Sequence, residues 1–287
     1  MQVIDYLTIL KNESIISNTK HLIFACMYRY FLELGYKGTH YSGWQIQINA
    51  LTVQQKINEV LAIICNQVIE TTGCGRTDTG VHASLFFLHF DSATPIEDQP
   101  KFIYQLNSLL PADIAIYHIY AVKEQAHARF DATIRSYRYF ISFRKNPFLN
   151  ETTLFWRSMP DIDLMNKAAI MFLSHTDYTS FSKTGGQHTT NLCTIFSAQW
   201  IMIDEHLLEY RVSANRFLRG MVRAMVGTMM MVGHKKITLS EFEQILLHGN
   251  RSDAGESVPP QGLFLSEVQY PYIPQKKLKT NLIPFVL

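Results

Sequence analysis

The sequence predicts an α+β protein made of two similar halves around a cleft, and three observations carry that prediction. Hydrophobic spacing switches repeatedly between period two and period 3.6 along the chain. The switches run in β-α-β order, and the order approximately repeats in the second half. The chain has 287 residues, 47% hydrophobic and 17% charged, enough to build one large domain or two ordinary ones with a real core.

Taken in order, residues 1–26 carry weak periodicity and no motif, so a weakly structured extension is expected there, or an upstream start for a chain that begins near Met27. Tyr28 to Leu34 alternates as a strand. Val53, Ile57, Val60, Leu61 and Ile64 fall at helical spacing with Thr52 as N-cap. A second strand leads into Cys74. A glycine-bearing loop follows, then a strand from Leu85 to Phe90, a helix from Gln99 to Leu109 and a strand from Ile114 to Val122. This is the split βαβ order of a ferredoxin-like unit.

In the second half, Ile134 to Phe143 is aromatic and β-branched, hence a strand. Ile162 to Leu173 reads as a helix. Cys193 to Ile203 and Leu207 to Val212 form a hairpin around Asp204-Glu205. Ala214 to Val232 reads as one long helix, Ser240 to Leu247 as a short one, and Leu263 to Tyr270 as a closing strand. The boundary between the halves is placed near Glu124, dividing the chain into 27–124 and 125–287. No low-complexity linker separates them, so the halves are expected to pack together.

Composition excludes several classes. The net charge is only +2, so clustering of basic residues matters more than their total. The four cysteines, Cys26, Cys65, Cys74 and Cys193, lack the spacing of a zinc site and read as reduced thiols, several of them in the core. No apolar run reaches the roughly 20 residues of a membrane span, and no signal peptide is visible. A cytoplasmic protein is the default expectation.

The richest stretch is Gly73 to Ala83. Gly73, Gly75 and Gly80 permit turns that other residues resist. In an extended stretch Arg76 and Asp78 share a face, and an arginine beside an aspartate keeps the carboxylate ionised. An ionised carboxylate is a competent covalent nucleophile. A salt-bridged surface turn is the plain structural alternative. Asp78-Thr79-Gly80 also spells an aspartic-protease tripeptide. That chemistry needs two carboxylates sharing a proton; no second copy of the motif occurs, and Arg76 would oppose the shared proton.

Two segments without acidic residues then point to RNA. Ala132 to Asn150 holds Arg135, Arg138, Arg144 and Lys145, interleaved with Tyr137, Tyr139 and Phe143. Tyr210 to Lys236 holds Arg211, Arg216, Arg219, Arg223, Lys235 and Lys236. On the expected helix Arg216, Arg219 and Arg223 would share one face, with Gly220 and Gly227 allowing close approach of another backbone. Phosphate-tracking cations beside stacking aromatics suit splayed single-stranded bases; snorkelling side chains on a solvated helix are the alternative. Lys183-Thr184-Gly185-Gly186 resembles part of a phosphate loop without completing the pattern, and reads as a loop near RNA.

These motifs, in this order, resemble the tRNA pseudouridine synthase A family from about Met27 to Pro271. Gly75-Arg76-Thr77-Asp78-Thr79-Gly80-Val81-His82-Ala83 is similar to its catalytic loop, with Thr79 where the family usually has Ala. Tyr41-Ser42-Gly43-Trp44-Gln45, Asn107-Ser108-Leu109-Leu110-Pro111-Ala112-Asp113-Ile114, His127-Ala128-Arg129-Phe130-Asp131-Ala132 and Tyr137-Arg138-Tyr139 are similar to further family segments. So are Phe217-Leu218-Arg219-Gly220-Met221-Val222-Arg223, Val226-Gly227 and Pro260-Gln261-Gly262-Leu263-Phe264-Leu265. Gly220 and Ala224 stand where the family commonly has His and Asn.

The resemblance implies two RRM-like halves sharing one extended, mainly antiparallel sheet with a central cleft. It implies a homodimer without cofactor or metal that isomerises uridine to pseudouridine in the tRNA anticodon arm, at uridines 38, 39 and 40. It makes Asp78 the nucleophile, Tyr137 the aromatic that packs on the target base and a proton-transfer candidate, Arg76 a helper of base flipping, and Arg223 the partner of the catalytic carboxylate. Arg138, Arg216 and Arg219 are expected, with Tyr137, to contact substrate. A catalytically silent RNA-binding module of the same fold remains the alternative, against which Arg76, Asp78 and Tyr137 argue.

Overall fold

The structure is a computed structural model that describes residues 27–183 and 190–274. The expectations for residues 1–26 and for Thr184-Gly185-Gly186 lie outside the described residues. In chain order the first half holds β1 (Tyr28–Tyr36), α1 (Val53–Cys65), β2 (Thr72–Gly73), β3 (His82–Ser92), α2 (Gln99–Leu109) and β4 (Ile114–Ala121). The second holds β5 (Ile134–Ser142), β6 (Leu154–Phe155), α3 (Ile162–Met171), β7 (Ile195–Asp204), β8 (Leu207–Ala214), α4 (Met221–Gly233), α5 (Leu239–His248) and β9 (Leu263–Gln269).

All these strands join one mixed sheet in the order β4-β1-β3-β9-β5-β8-β7, with β2 added to β3 and β6 to β5. The pairing is antiparallel except at β3–β9 and β5–β6. The β3–β9 pairing is short, His82 with Phe264 and Ala83 with Leu265. It is also the seam where the first half's strands meet the second half's, and it lies directly after the Asp78 loop.

Among the described residues, four of the five α-helices begin at a side-chain cap that satisfies a free amide. Thr52 accepts from Gln55 N–H, Asp98 from Lys101 and Asp161 from Leu164, while Thr238 and Glu241 form a reciprocal capping box. Helix α4 has no side-chain cap and is buried almost all round, as a central core helix should be. It corrects the expectation of one helix over Ala214–Val232. Ser213 and Ala214 are still paired in β8, and Gly220 at φ 71° turns the chain into α4. Arg216 and Arg219 therefore sit on the connection before the helix and share no helical face with Arg223.

Glycine roles also differ from expectation. Gly227 does admit a close backbone, since a Cβ there would lie 1.9 Å from the Glu256 carbonyl oxygen. Gly220 is needed for its positive φ instead.

The apolar interior forms two main clusters, one against each half of the sheet, and they exchange residues. Leu265, Val268, Tyr270 and Ile273 from β9 and its continuation pack into the first-half core. Val81, at the end of the Asp78 loop, packs into the second-half core around α4. Burial of that one side chain couples the loop to the opposite half. No helix among the described residues is long and apolar enough to cross a membrane.

Candidate active site

The loop from Gly73 to Val81 is fastened at nearly every step. Cys74 N–H donates to Phe87 O at 2.7 Å, and Val81 N–H to Asp78 O at 3.1 Å. Thr77 Oγ1 and the Tyr36 hydroxyl are 2.9 Å apart. Trp44 N–H reaches Thr77 O at 3.4 Å, and Gly80 N–H reaches Tyr41 O at 3.3 Å. The Tyr41-Ser42-Gly43-Trp44 segment is thus the scaffold of the loop. Gly43, at φ 85°, leaves no room for a side chain, since a Cβ would come within 2.3 Å of Thr77 O.

Of the three loop glycines, Gly80 has the positive φ, 77°. Gly73 permits the close approach of the Trp44 indole, and Gly75 has open space around it. Behind the loop, His82 accepts the Gly38 N–H on Nδ1 at 2.9 Å, which leaves Nε2 to donate to Gln261 O at 3.1 Å. Burial holds the His82 pKa below its ordinary value, consistent with this neutral tautomer.

Asp78 is partly exposed, and its carboxylate faces the second half. Arg223 Nη1 lies 3.6 Å from Oδ2 and Arg219 Nε lies 3.7 Å from Oδ1. Arg223 is the partner the family resemblance implied, while the expected neighbour Arg76 gives way to Arg219; both cations lie about 140 positions further along the chain. Arg223 is itself fixed, donating from Nε to Val258 O at 2.6 Å. Arg219 is 57% exposed, and among the described residues it carries no such tether.

Tyr137 is brought to the same place. It sits on β5 beside the loop, edge-on to Phe217 with ring centroids 5.0 Å apart. Burial is the main cause that pushes its hydroxyl pKa up; the Cys74 thiol and the Asp78 carboxylate add to this, while Arg135 opposes it. The group is a neutral phenol at ordinary pH.

The structure does not bring every expected residue together. Arg76 is exposed and turns to a cavity of about 150 Å³ lined by Trp44, Gln54, Gly75 and Arg129 among others. Arg216 joins the same basic neighbourhood: burial first, then the nearby Arg76, Arg135 and Arg216 charges, lower the Arg129 pKa. Arg138 lies on the reverse face of the sheet, because odd spacing from Tyr137 along a strand reverses the side chain. There it pairs at 3.3 Å with Glu209, whose other oxygen accepts from Arg211 at 2.7 Å. Glu209 is fully buried, so Arg138 and Arg211 are committed to it rather than to the side where Asp78 lies.

The sequence reading missed Arg129 as part of the basic neighbourhood and missed what Arg135 does. Arg135 was grouped with phosphate-tracking cations, but all its donors face backbone carbonyls, of Cys74, Arg129, Ala132 and Asn215. Alternation along β5 puts it on the Tyr137 side, which was the available signal.

The chain is 44% identical to tRNA pseudouridine synthase A of Bacteroides fragilis over 243 residues, which cover 85% of this chain and 96% of the relative. The chain belongs to the tRNA pseudouridine synthase A family. The tRNA pseudouridine synthase family model matches residues 168–271, a span that includes Arg216, Arg219, Arg223 and β9. The enzyme of Parabacteroides distasonis is also 44% identical, over 245 residues covering 85% and 97% of the two chains. That of Lactococcus lactis is 32% identical over 247 residues, covering 85% and 98%. The protein is accordingly an isomerase of the pseudouridine-forming class. A tRNA pseudouridine synthase must break an N-glycosidic bond and remake it to carbon.

Proposed function

We propose that Asp78 is the nucleophile of a tRNA uridine-to-pseudouridine isomerisation acting on the anticodon arm at uridines 38, 39 and 40. The observation that carries this reading is the carboxylate itself. It is held on a tightly bonded loop from one half and faces two arginines from the other, at 3.6 and 3.7 Å. That distance exceeds a hydrogen bond, so the carboxylate oxygens are not consumed by their partners.

The target nucleotide must leave the stack, at a cost of a few kcal/mol. Arg76, Arg129, Arg216 and Arg219 supply cations for the phosphates around it. Asp78 then attacks the sugar at its anomeric carbon or the uracil ring. The bond from the sugar to N1 breaks, the base turns, a bond from the sugar to C5 forms, and the bond to Asp78 breaks, which regenerates the carboxylate. N1 gains a proton and C5 loses one, so atoms balance and no co-substrate is consumed. Arg223, fixed to Val258 O, faces the Asp78 carboxylate at 3.6 Å and orients it. Tyr137 packs against the base and keeps its own proton, so any proton transfer through it starts from the phenol.

We read each half as an RRM-like unit, 27–124 and 125–287, around a cleft. The strand paths support this: β4-β1-β3 with β2 beside β3, and β9-β5-β8-β7, both follow the split βαβ order. We further read the enzyme as a cytoplasmic homodimer, which light scattering of the purified protein tests by mass.

The test of the nucleophile is Asp78→Asn. Release of tritium from 5-tritiated uridine in tRNA should fall at least about a thousandfold, with tRNA affinity within about threefold of wild type. Retained turnover overturns the assignment. Mapping pseudouridine in tRNA from a strain lacking the protein tests the positions; unchanged modification at 38–40 overturns the anticodon-arm reading.

A further inference from the structure

We propose that Arg135 is a positioning residue that sets the distance between Asp78 and its arginine partners. A guanidinium has five N–H donors in a rigid plane, and Arg135 uses all of them on backbone carbonyls. Nε and Nη2 both donate to Cys74 O, at 3.2 and 2.8 Å. Nη2 also donates to Arg129 O at 2.6 Å. Nη1 donates to Ala132 O at 3.2 Å and to Asn215 O at 3.1 Å. No donor is left for a phosphate oxygen, so the residue does not read RNA.

The four carbonyls are well chosen for registering the site. Cys74 is the root of the Asp78 loop, itself bonded to β3 through Phe87 O. Asn215 is the root of the connection that carries Arg219 and leads to Arg223. It is locked to the start of β7, its N–H donating to Thr194 O at 3.1 Å and its Oδ1 accepting from Thr194 N–H at 2.9 Å. Arg129 and Ala132 lie on the link between β4 and β5, where the two halves join. One side chain therefore bonds the root of the carboxylate's loop, the root of its cations' loop and the link between the halves. Arg135 also stands two residues before Tyr137 on the same strand face, so it holds the floor of the site on that side as well.

The proposal rests on Asp78 being the reacting carboxylate, and its test uses readouts separate from loss of Asp78. Arg135→Lys keeps the charge but cannot span four carbonyls. A misplacement of about 1 Å can cost on the order of a hundredfold in rate. We expect kcat for tRNA to fall about thirtyfold, within that range. KM and the salt dependence of tRNA binding should stay within about twofold, since no phosphate contact is lost. The loss should shrink to about threefold in an Arg223→Lys background, because the two changes disturb one geometry.

A fall in affinity with a flatter salt slope would make Arg135 a phosphate contact. Additive losses in the double variant would separate it from the Asp78 pairing. Either result overturns the proposal. Arg135→Gln, assayed in parallel with melting curves, guards against a variant that fails to fold; if both variants unfold, Arg135 belongs to stability and the positioning role is wrong. Failure of the Asp78 assignment would show separately, as turnover retained in Asp78→Asn.

Discussion

The loop from Gly73 to Val81 and the connection from Asn215 to Gly220 meet at one carboxylate and are built in opposite ways. The first is held by backbone bonds to β3 and to the Tyr41–Trp44 segment, and by burial of Thr77 and Val81. The second is tied down at its ends, at Asn215 through Thr194 and at Arg219 O through Lys183 N–H, while the Arg219 side chain stays largely exposed. Beyond it, Arg223 is fixed to Val258 O from within α4. A fixed carboxylate thus faces one fixed cation and one adjustable cation. On the proposed reading, in which RNA enters between the halves, an arginine free to swing can meet a phosphate on entry and return to the carboxylate later. The difference teaches that the two arginines at similar distance from Asp78 should not be equivalent.

The largest effect should come from removing the fixed cation. Arg223→Met leaves Asp78 without its preorganised partner, and a preorganised charge in such a site is worth about a hundredfold to a thousandfold in rate. We expect kcat to drop by about two orders of magnitude with little change in the salt dependence of tRNA binding. Single-turnover kinetics on purified tRNA measure this directly. If Arg219→Met costs as much as Arg223→Met in the same assay, the contrast between fixed and adjustable cations is wrong.

The next effect tests the fastening of the first loop. Gly43→Ala forces a residue with a Cβ into φ 85° and against Thr77 O. Strain of this kind costs about 1–3 kcal/mol, so a clear fall in the urea midpoint is expected. Tritium release should fall with it, because Thr77 adjoins Asp78. A fully stable Gly43→Ala with normal turnover would mean that the Tyr41–Trp44 segment does not hold the loop.

Removing the adjustable cation should do less. Arg219→Met should lower kcat by roughly fivefold to tenfold and reduce the slope of log affinity against log salt by about one. A flat response in both would place Arg219 outside the RNA path.

These expectations depend on contacts that the sequence showed unevenly. Several strands and the first capped helix were legible because their signals are local: alternation in β1, aromatic and β-branched content in β5, Thr52 before α1. The first turn of α4 was not. Phe217, Leu218, Met221, Val222, Met225 and Val226 keep helical spacing straight across the break, and only the positive φ of Gly220 stops the helix there. Hydrophobic spacing records which residues are buried, not the backbone angle between them. The two-residue strand β6 is too short to leave any pattern, whereas β2 is the expected strand before Cys74. At the site, Asp78 was legible from its glycine-bearing motif, and the family resemblance named Arg223 as its partner, which the geometry bears out. Proximity in sequence favoured Arg76 as well, whereas tertiary packing supplied Arg219 in its place. The opposite fates of Arg135 and Arg138 were readable in principle, since a spacing of three along a strand places them on opposite faces. What their two faces would meet was not.

The smallest predicted effect is one of pH, and it concerns the first loop alone. His82 fastens the strand behind Asp78 only as a neutral imidazole, because Nδ1 must accept the Gly38 N–H. Burial lowers its pKa in the folded protein. The unfolded chain, with an ordinary histidine pKa near 6.5, therefore binds the proton more readily. The contribution to stability is complete above about pH 6.5 and is lost as the pH falls below it. His89 acts in the same sense: burial first, then the neighbouring Arg29 and His127, bring its pKa down to about 4. Melting temperatures at pH 8 and pH 5.5 should accordingly differ by several degrees in the wild type. His82→Gln keeps a side chain able to accept and donate at this position but cannot titrate. The difference should shrink in that variant without vanishing, because His89 remains. Among the described residues the connection from Asn215 to Gly220 has no histidine fastener, so hydrogen exchange at pH 5.5 should quicken at Gly75–Thr79 relative to Asn215–Gly220 once the intrinsic pH dependence is removed. Equal behaviour of the two segments would show that His82 does not carry the difference between them.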